Sequence, residues 1–338
     1  MIFLGDFMKN IRDDSKSFFM KKPKIDASNF LYTYEDMTFD LDRLNTTYYK
    51  KMLVKTIAIT KDNKEVYEVI IGKPNGKKHI IIHAGIHARE YMTSLLVMKQ
   101  MECYLQCLEQ ETYRGISYGD LFSDITFHIL PMVNPDGVSI SQFGLNKIQS
   151  DTIKREIKEW YQRDLGSGRT KDTFDIYLKR WKANANGVDL NRNFNYGWEE
   201  YTGTDVPGPE KYKGVTVESE PETKALVLLT KQIKPVVAIS YHATGSVIYW
   251  DYGQIGDMRN QCQALVNTIS KVTGYEISYA DTDKQDAAGY GDWAVMVKEV
   301  PSATIEIGIG EAPLSIDEFP RIWKENRWIM EELAYQIQ

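Results

Sequence analysis

His87 and Glu90 stand three residues apart in His87-Ala88-Arg89-Glu90, so a single turn can aim an imidazole and a carboxylate at one point. The apolar run Ile80-Ile81-Ile82-His83-Ala84-Gly85-Ile86 leads straight into His87, and Val236-Val237-Ala238-Ile239-Ser240-Tyr241 leads straight into His242. A third strand-like run carries Thr304-Ile305-Glu306-Ile307-Gly308. Hydrolytic zinc is typically held by three protein ligands, with water in the fourth position. Two His and one Glu supply such a set, and a further carboxylate can take the water's proton. A His and a Glu three apart also arise by chance in a chain of this length. Position gives the pair its weight, because ligands of α/β sheets gather at the carboxyl ends of strands.

Other segments carry polar groups without a helix or strand period. In Gly187-Val188-Asp189-Leu190-Asn191-Arg192-Asn193-Phe194, Asn193 suits an Asx turn, whereas the planar fork of Arg192 suits a carboxylate. Arg180-Trp181-Lys182 offers fixed positive charge for an oxyanion, and Arg180 reads equally well as a solvated basic side chain. Asn134-Pro135-Asp136-Gly137 reads as a structural turn. His83 and His128 sit inside apolar strands as core histidines, and His79 at a strand's start is exposed. Arg89, between the two candidate ligands, pairs with an acid or touches substrate.

The elements that must position these residues alternate between periods. Residues 53–60 and 65–72 form a hairpin, and 79–84 and 126–130 are buried strands. Leu95, Met98, Met101, Leu105 and Leu108 mark 91–110 as a core-facing helix. Ser219 caps a helix with Pro221 in its first turn and Glu222 completing a capping box. Strands 236–241 and 302–308 and helices near 257–272 and 316–337 complete the order, with polar helix and loop over 144–182. The fold class is α/β: a single domain with a mostly parallel mixed sheet and helices on both faces. Residues 1–44 read as an N-terminal arm and 45–338 as the catalytic domain.

Of the 338 residues, 43% are hydrophobic and 26% charged, as in an ordinary soluble globular protein. The net charge of −6 and pI near 5.6 argue against nonspecific nucleic-acid binding. No run approaches the ~20 apolar residues of a membrane span, and Met1-Ile2-Phe3-Leu4-Gly5-Asp6 lacks a secretory pattern, so a cytoplasmic location is expected. Cys103, Cys107 and Cys262 read as reduced, buried residues.

The series His87-Ala-Arg-Glu90, Asn134-Pro-Asp-Gly137, Gly187 to Asn193, Ser219-Glu-Pro-Glu-Thr223, Ser240-Tyr-His242 and Thr304-Ile-Glu306 resembles the zinc metallocarboxypeptidase family of carboxypeptidase A, in order and spread, from about residue 45 onward. Within it, Trp181 to Phe194 is most similar to bacterial γ-D-glutamyl-diaminopimelate peptidases. The resemblance implies one zinc per chain on His87, Glu90 and His242, with Glu306 as general base. It implies that Asn191 and Arg192 grip a terminal carboxylate, and that Lys182 stands where the family has a carbonyl-polarising arginine. Digestive members carry a substrate-capping tyrosine where this chain has Lys284 and Gln285, so Tyr290 is the nearest candidate for that role. Gly291 falls at the specificity-pocket position without an acid to select basic side chains. The expected substrate is a peptide or muropeptide, cut at the γ-D-Glu–diaminopimelate bond. The rivals are a general carboxypeptidase on α-linked C-termini and an inactive peptide-binding module. Oligomeric state is not readable.

Overall fold

The computed structural model describes residues 23–28, 31–108, 111–279 and 288–338. Eight strands form one sheet: β1 (Met52–Ile59), β2 (Glu65–Gly72), β3 (Lys78–His83), β4 (Ile125–Leu130), β5 (Val237–His242), β6 (Val247–Tyr249), β7 (Glu276–Ile277) and β8 (Ser302–Glu306). Their order across the sheet is β1-β2-β4-β3-β5-β8-β6-β7. The centre, β4-β3-β5-β8, is wholly parallel, while β1-β2, β2-β4 and β8-β6 are antiparallel. A fully parallel centre needs crossover connections, and these supply the helices that bury both faces.

Besides a single helical turn at Tyr118–Leu121, the helices of the described residues are α1 (Tyr34–Thr47), α2 (Met92–Cys107), α3 (Pro135–Phe143), α4 (Asp151–Gly166), α5 (Phe174–Lys179), α6 (Pro221–Ile233), α7 (Gly256–Thr273), α8 (Tyr290–Lys298), α9 (Phe319–Asn326) and α10 (Ile329–Gln336). Alternation along the strands divides the core. Ile80, Ile82, Ile239 and Ile305 pack with α1, α2, α7 and α10, and Ile81 and Ala238 pack with α6 and α8 on the other side. A third cluster, built on Ile140, Ile153, Ile157, Tyr177 and Trp181, joins α3, α4 and α5.

The single α/β domain and its central strands match the sequence reading. α1 crosses the boundary expected at residue 44: it is capped by Thr33 and buries Met37, Leu41 and Leu44, with Ile25 and Tyr32 beside them in the core, while residues 1–22 of the expected arm lie outside the described residues. The expected 316–337 helix is broken into a 3-10 turn, α9 and α10. Ser219 does not cap α6. Glu220 holds the N-cap position, and the Ser219 hydroxyl donates to its carboxylate at 2.7 Å. Glu222 is buried rather than part of a capping box.

Candidate metal and active site

His242 is the last residue of β5 and lies in register with Glu306, the last residue of β8. Side chains of adjacent parallel strands at equal register share a face, so both project to the same side at the carboxyl edge of the sheet. His87 follows β3 after a loop held by Ala84 N to Leu130 O and Asn134 N to Gly85 O, both 3.0 Å. Gly85 turns this loop with φ +62, a conformation costly for other residues. A 3-10 turn over Ala88–Glu90 then brings Glu90 back under His87.

Three donor atoms converge. His87 Nδ1 lies 3.0 Å from Glu90 Oε1 and 3.0 Å from His242 Nδ1, and His242 Nδ1 lies 3.1 Å from Glu90 Oε2. All three side chains are buried, and among the described residues they are the group able to hold a metal ion. Two imidazole nitrogens facing each other at 3.0 Å repel through their lone pairs unless a proton or a cation lies between them. A dication bound by both nitrogens and the carboxylate satisfies all three at once, so the donor set fits zinc. Burial alone would push the Glu90 carboxyl up, but His87 and His242 hold it well below the usual carboxylate range. Burial lowers His242, opposed by its hydrogen bond to Glu90, so the neutral ligand form is favoured.

Asp189 is the functional neighbour that sequence reading passed over. Its Oδ1 lies 3.3 Å from His87 Nε2, on the ring edge opposite the donor cluster. Its Oδ2 accepts from Lys211 N at 3.1 Å. Although burial would raise it, His87, Lys182 and Arg192 hold the Asp189 carboxyl far below the usual carboxylate range. A carboxylate behind a ligating imidazole fixes the ring's orientation and tautomer. Its place inside the dense Gly187–Asn193 segment was the available signal.

Glu306 is half-buried and stands outside the three-atom cluster. Burial and the Glu90 charge push its carboxyl up, and Lys182 pulls it down. The Lys182 ammonium thus acts on Glu306, Asp189 and His242. Arg180 points elsewhere, 3.5 Å from Asp172 and 3.8 Å from Glu311. Between these two cations, Lys182 is the one that faces the site.

Asn134-Pro135-Asp136-Gly137 does more than turn the chain. Asn134 caps α3 through Gly137 N at 2.9 Å, and its Nδ2 donates to Ile86 O at 3.1 Å and Ala183 O at 3.0 Å. Together with Ala88 N to Lys182 O at 3.1 Å, these bonds tie the ligand turn to the Lys182 segment. A Cβ on Gly137 would collide with the Ala183 carbonyl. Asp136 is buried against Lys64 at 3.0 Å and accepts from Asp62 N at 2.8 Å, anchoring the motif to the β1-β2 hairpin.

Asn191 and Arg192 lie on one 3-10 turn. Asn191 Oδ1 accepts from Tyr290 N at 3.0 Å, which turns its amide nitrogen away from that bond. The Arg192 guanidinium lies over the Tyr201 ring at 5.2 Å. In place of the expected Asx turn, the Asn193 side chain reaches across to the 213–220 segment, accepting from Glu220 N at 3.2 Å and donating to Lys213 O at 2.8 Å. Arg89 pairs with Glu210 at 3.5 Å and donates to Arg180 O at 3.0 Å.

Tyr290 must be corrected. Its side chain is wholly buried, its hydroxyl lies 3.0 Å from Thr230 Oγ1, and its ring packs edge-on against His83 at 4.7 Å. A tyrosine so enclosed cannot close over a substrate. Lys284 and Gln285 lie outside the described residues. At Gly291 an added Cβ would strike the hydroxyl of Tyr252, which lies 3.2 Å from Thr304 Oγ1. The Tyr252 hydroxyl therefore fills the position that a side chain at 291 would take. His83 is a core histidine, 2.8 Å from Ser240 Oγ. His128 is likewise paired, 2.6 Å from Glu68, and His79, half-buried rather than exposed, lies 2.9 Å from His128.

The sequence profile of the zinc carboxypeptidase family matches residues 37–328. Gamma-D-glutamyl-L-diamino acid endopeptidase 1 of Lysinibacillus sphaericus is 33% identical over 299 residues, spanning 87% of this chain and 70% of its own length. Carboxypeptidase B of Astacus astacus is 24% identical over 276 residues, spanning 78% and 81%. Among solved structures, thrombin-activatable fibrinolysis inhibitor shares the fold, with a TM-score of 0.70 at 17% identity over 94% of this chain and 80% of its own.

Proposed function

The chain belongs to the zinc carboxypeptidase family, and from that premise we propose that it hydrolyses the γ-D-glutamyl–diamino acid bond of peptidoglycan stem peptides. Zinc-dependent peptide hydrolysis goes with the family. The observation that carries the finer reading is the 33% identity to a γ-D-glutamyl-L-diamino acid endopeptidase across 87% of the chain. The site is compatible with it: the Gly291 position faces the hydroxyls of Tyr252 and Thr304 and offers no acid to select a basic side chain.

His87, Glu90 and His242 would hold the zinc, which supplies Lewis acidity and lowers the pKa of water at the cluster toward ~7. Glu306, beside His242 and outside the ligand set, takes the proton from the attacking water and returns it to the leaving amine. Lys182 stabilises the oxyanion from the side of Asp189 and Glu306, as a point charge rather than a fork. Arg192 and the amide nitrogen of Asn191 grip a carboxylate of the leaving residue.

Side-by-side kinetics on L-Ala-γ-D-Glu-meso-diaminopimelate and a set of α-linked peptides test the reading. Faster release of diaminopimelate from the γ-linked tripeptide is expected. Comparable or higher kcat/KM on α-linked peptides would assign the chain to the general carboxypeptidases instead.

A further inference from the structure

A cleft of about 470 Å³ opens against the Ala88–Glu90 turn, walled by the end of α4, by α5 and by the 204–211 segment. Arg89, set between His87 and Glu90, lines it. It shares a wall with the catalytic site, because Lys182 N and Ala183 N both donate to Pro209 O, at 2.8 and 2.9 Å. Five cationic side chains line this cleft against three carboxylates, in a chain whose net charge is −6.

The pairing inside the cleft is uneven. Buried Asp164 serves two guanidinia, since its Oδ1 accepts from Arg163 and Arg169, each at 2.9 Å, while Oδ2 accepts from Tyr177 at 2.8 Å. Among the described residues Arg180 is held by long contacts, 3.5 Å to Asp172 and 3.8 Å to Glu311, with half of its side chain exposed. Lys211 is exposed at the same cleft. Loose, solvent-facing pairs contribute little, so an incoming carboxylate with better geometry can replace them.

We propose that this cleft binds a carboxylate on the acyl side of the substrate, with Arg180 and Lys211 as the groups that recognise it. The inference rests on the reading above for the identity of that carboxylate. When glutamate is linked through its γ-carboxyl, its α-carboxylate stays free, one residue's width from the scissile bond. An α-linked residue has no such group on its main chain. The cleft is also large enough for part of a peptide.

The test uses the zinc-loaded Glu306→Gln protein, in which ligands bind without turnover. Calorimetry would compare the γ-linked tripeptide with its α-carboxamide, and an α-linked peptide carrying acyl-side Glu with its Gln counterpart. In at least one pair the carboxylate form should bind about tenfold tighter, as expected for a charge-assisted contact. Adding Arg180→Gln or Lys211→Gln should shrink that ratio severalfold while leaving the amide form unchanged. Equal affinities within both pairs, or a ratio that survives both substitutions, would overturn the proposal. If only the α-linked pair discriminates, the cleft stands and the γ-glutamyl reading fails; if the γ-linked tripeptide is cleaved but its carboxamide binds equally, the reverse holds.

Discussion

At the scale of single residues, the proposed hydrolysis needs groups that hold a cation and a separate group that moves a proton. His87, Glu90 and His242 converge within hydrogen-bonding distance of one another, and Glu306 stands in register with His242 but outside that set. Glu306→Gln should therefore keep zinc and fold while turnover falls by about 10²–10⁴-fold, the usual cost of losing a general base. Metal analysis beside steady-state kinetics checks this, and wild-type turnover would assign the base elsewhere. His242→Ala should instead abolish stoichiometric zinc, read on the same preparation; unchanged zinc content would sink the ligand assignment. These four residues were legible because His242 and Glu306 close apolar strands and the His87–Glu90 pair follows one across a short loop. Asp189 was not, because its role depends on a ring edge that only the folded turn presents to it. Tyr290 was misplaced because an aromatic residue close to a glycine-rich motif reads the same whether it faces substrate or Thr230.

At the scale of elements, the site depends on joints between segments far apart in sequence. The central strands and α2 were readable from period alone, since a parallel core forces continuous apolar runs. Strands of three and two residues, β6 and β7, are too short to carry a pattern. α1 was hidden by its charged first turn, although Met37, Leu41 and Leu44 repeat at helical spacing. The Asn134-Pro135-Asp136-Gly137 motif, expected as a turn, is instead the capped start of α3, and Asn134 also binds the carbonyls of Ile86 and Ala183. Asp136→Ala should cost about 1–3 kcal/mol, because it leaves the buried Asp62 N–H without its acceptor and Lys64 with one of its two carboxylates. Denaturant unfolding would measure it. A loss under about 1 kcal/mol, typical of an exposed pair, would mean that the joint does not hold the hairpin to the site.

At the scale of the whole molecule, buried carboxyls away from the metal set how stability varies with pH. Glu222, at the start of α6, is buried, and burial, with Glu220 and Asp136 adding to it, raises its pKa from 4.5 to about 8, although Asn184 opposes the shift. Glu331 on α10 is raised by burial to about 7, against the hydrogen bond from Tyr118. A carboxyl whose folded pKa exceeds its unfolded value binds its proton more tightly in the native state. The stability it contributes is complete below the unfolded pKa, near 4.5, and is lost as pH rises through the folded pKa. The affected window runs from about pH 4.5 to 8 for Glu222 and to about 7 for Glu331. Glu222→Gln keeps the shape of the protonated form and removes the titration. Relative to wild type it should gain stability steadily between pH 5 and 8, reaching a few kcal/mol at pH 9 on the usual ~1.4 kcal/mol per pKa unit. Urea unfolding of zinc-loaded wild type and variant at pH 5, 7 and 9 reads the difference, with the metal's own pH dependence common to both. A constant offset across that range would show that Glu222 stays charged in the fold, and that Asn184 and the α6 terminus compensate its burial.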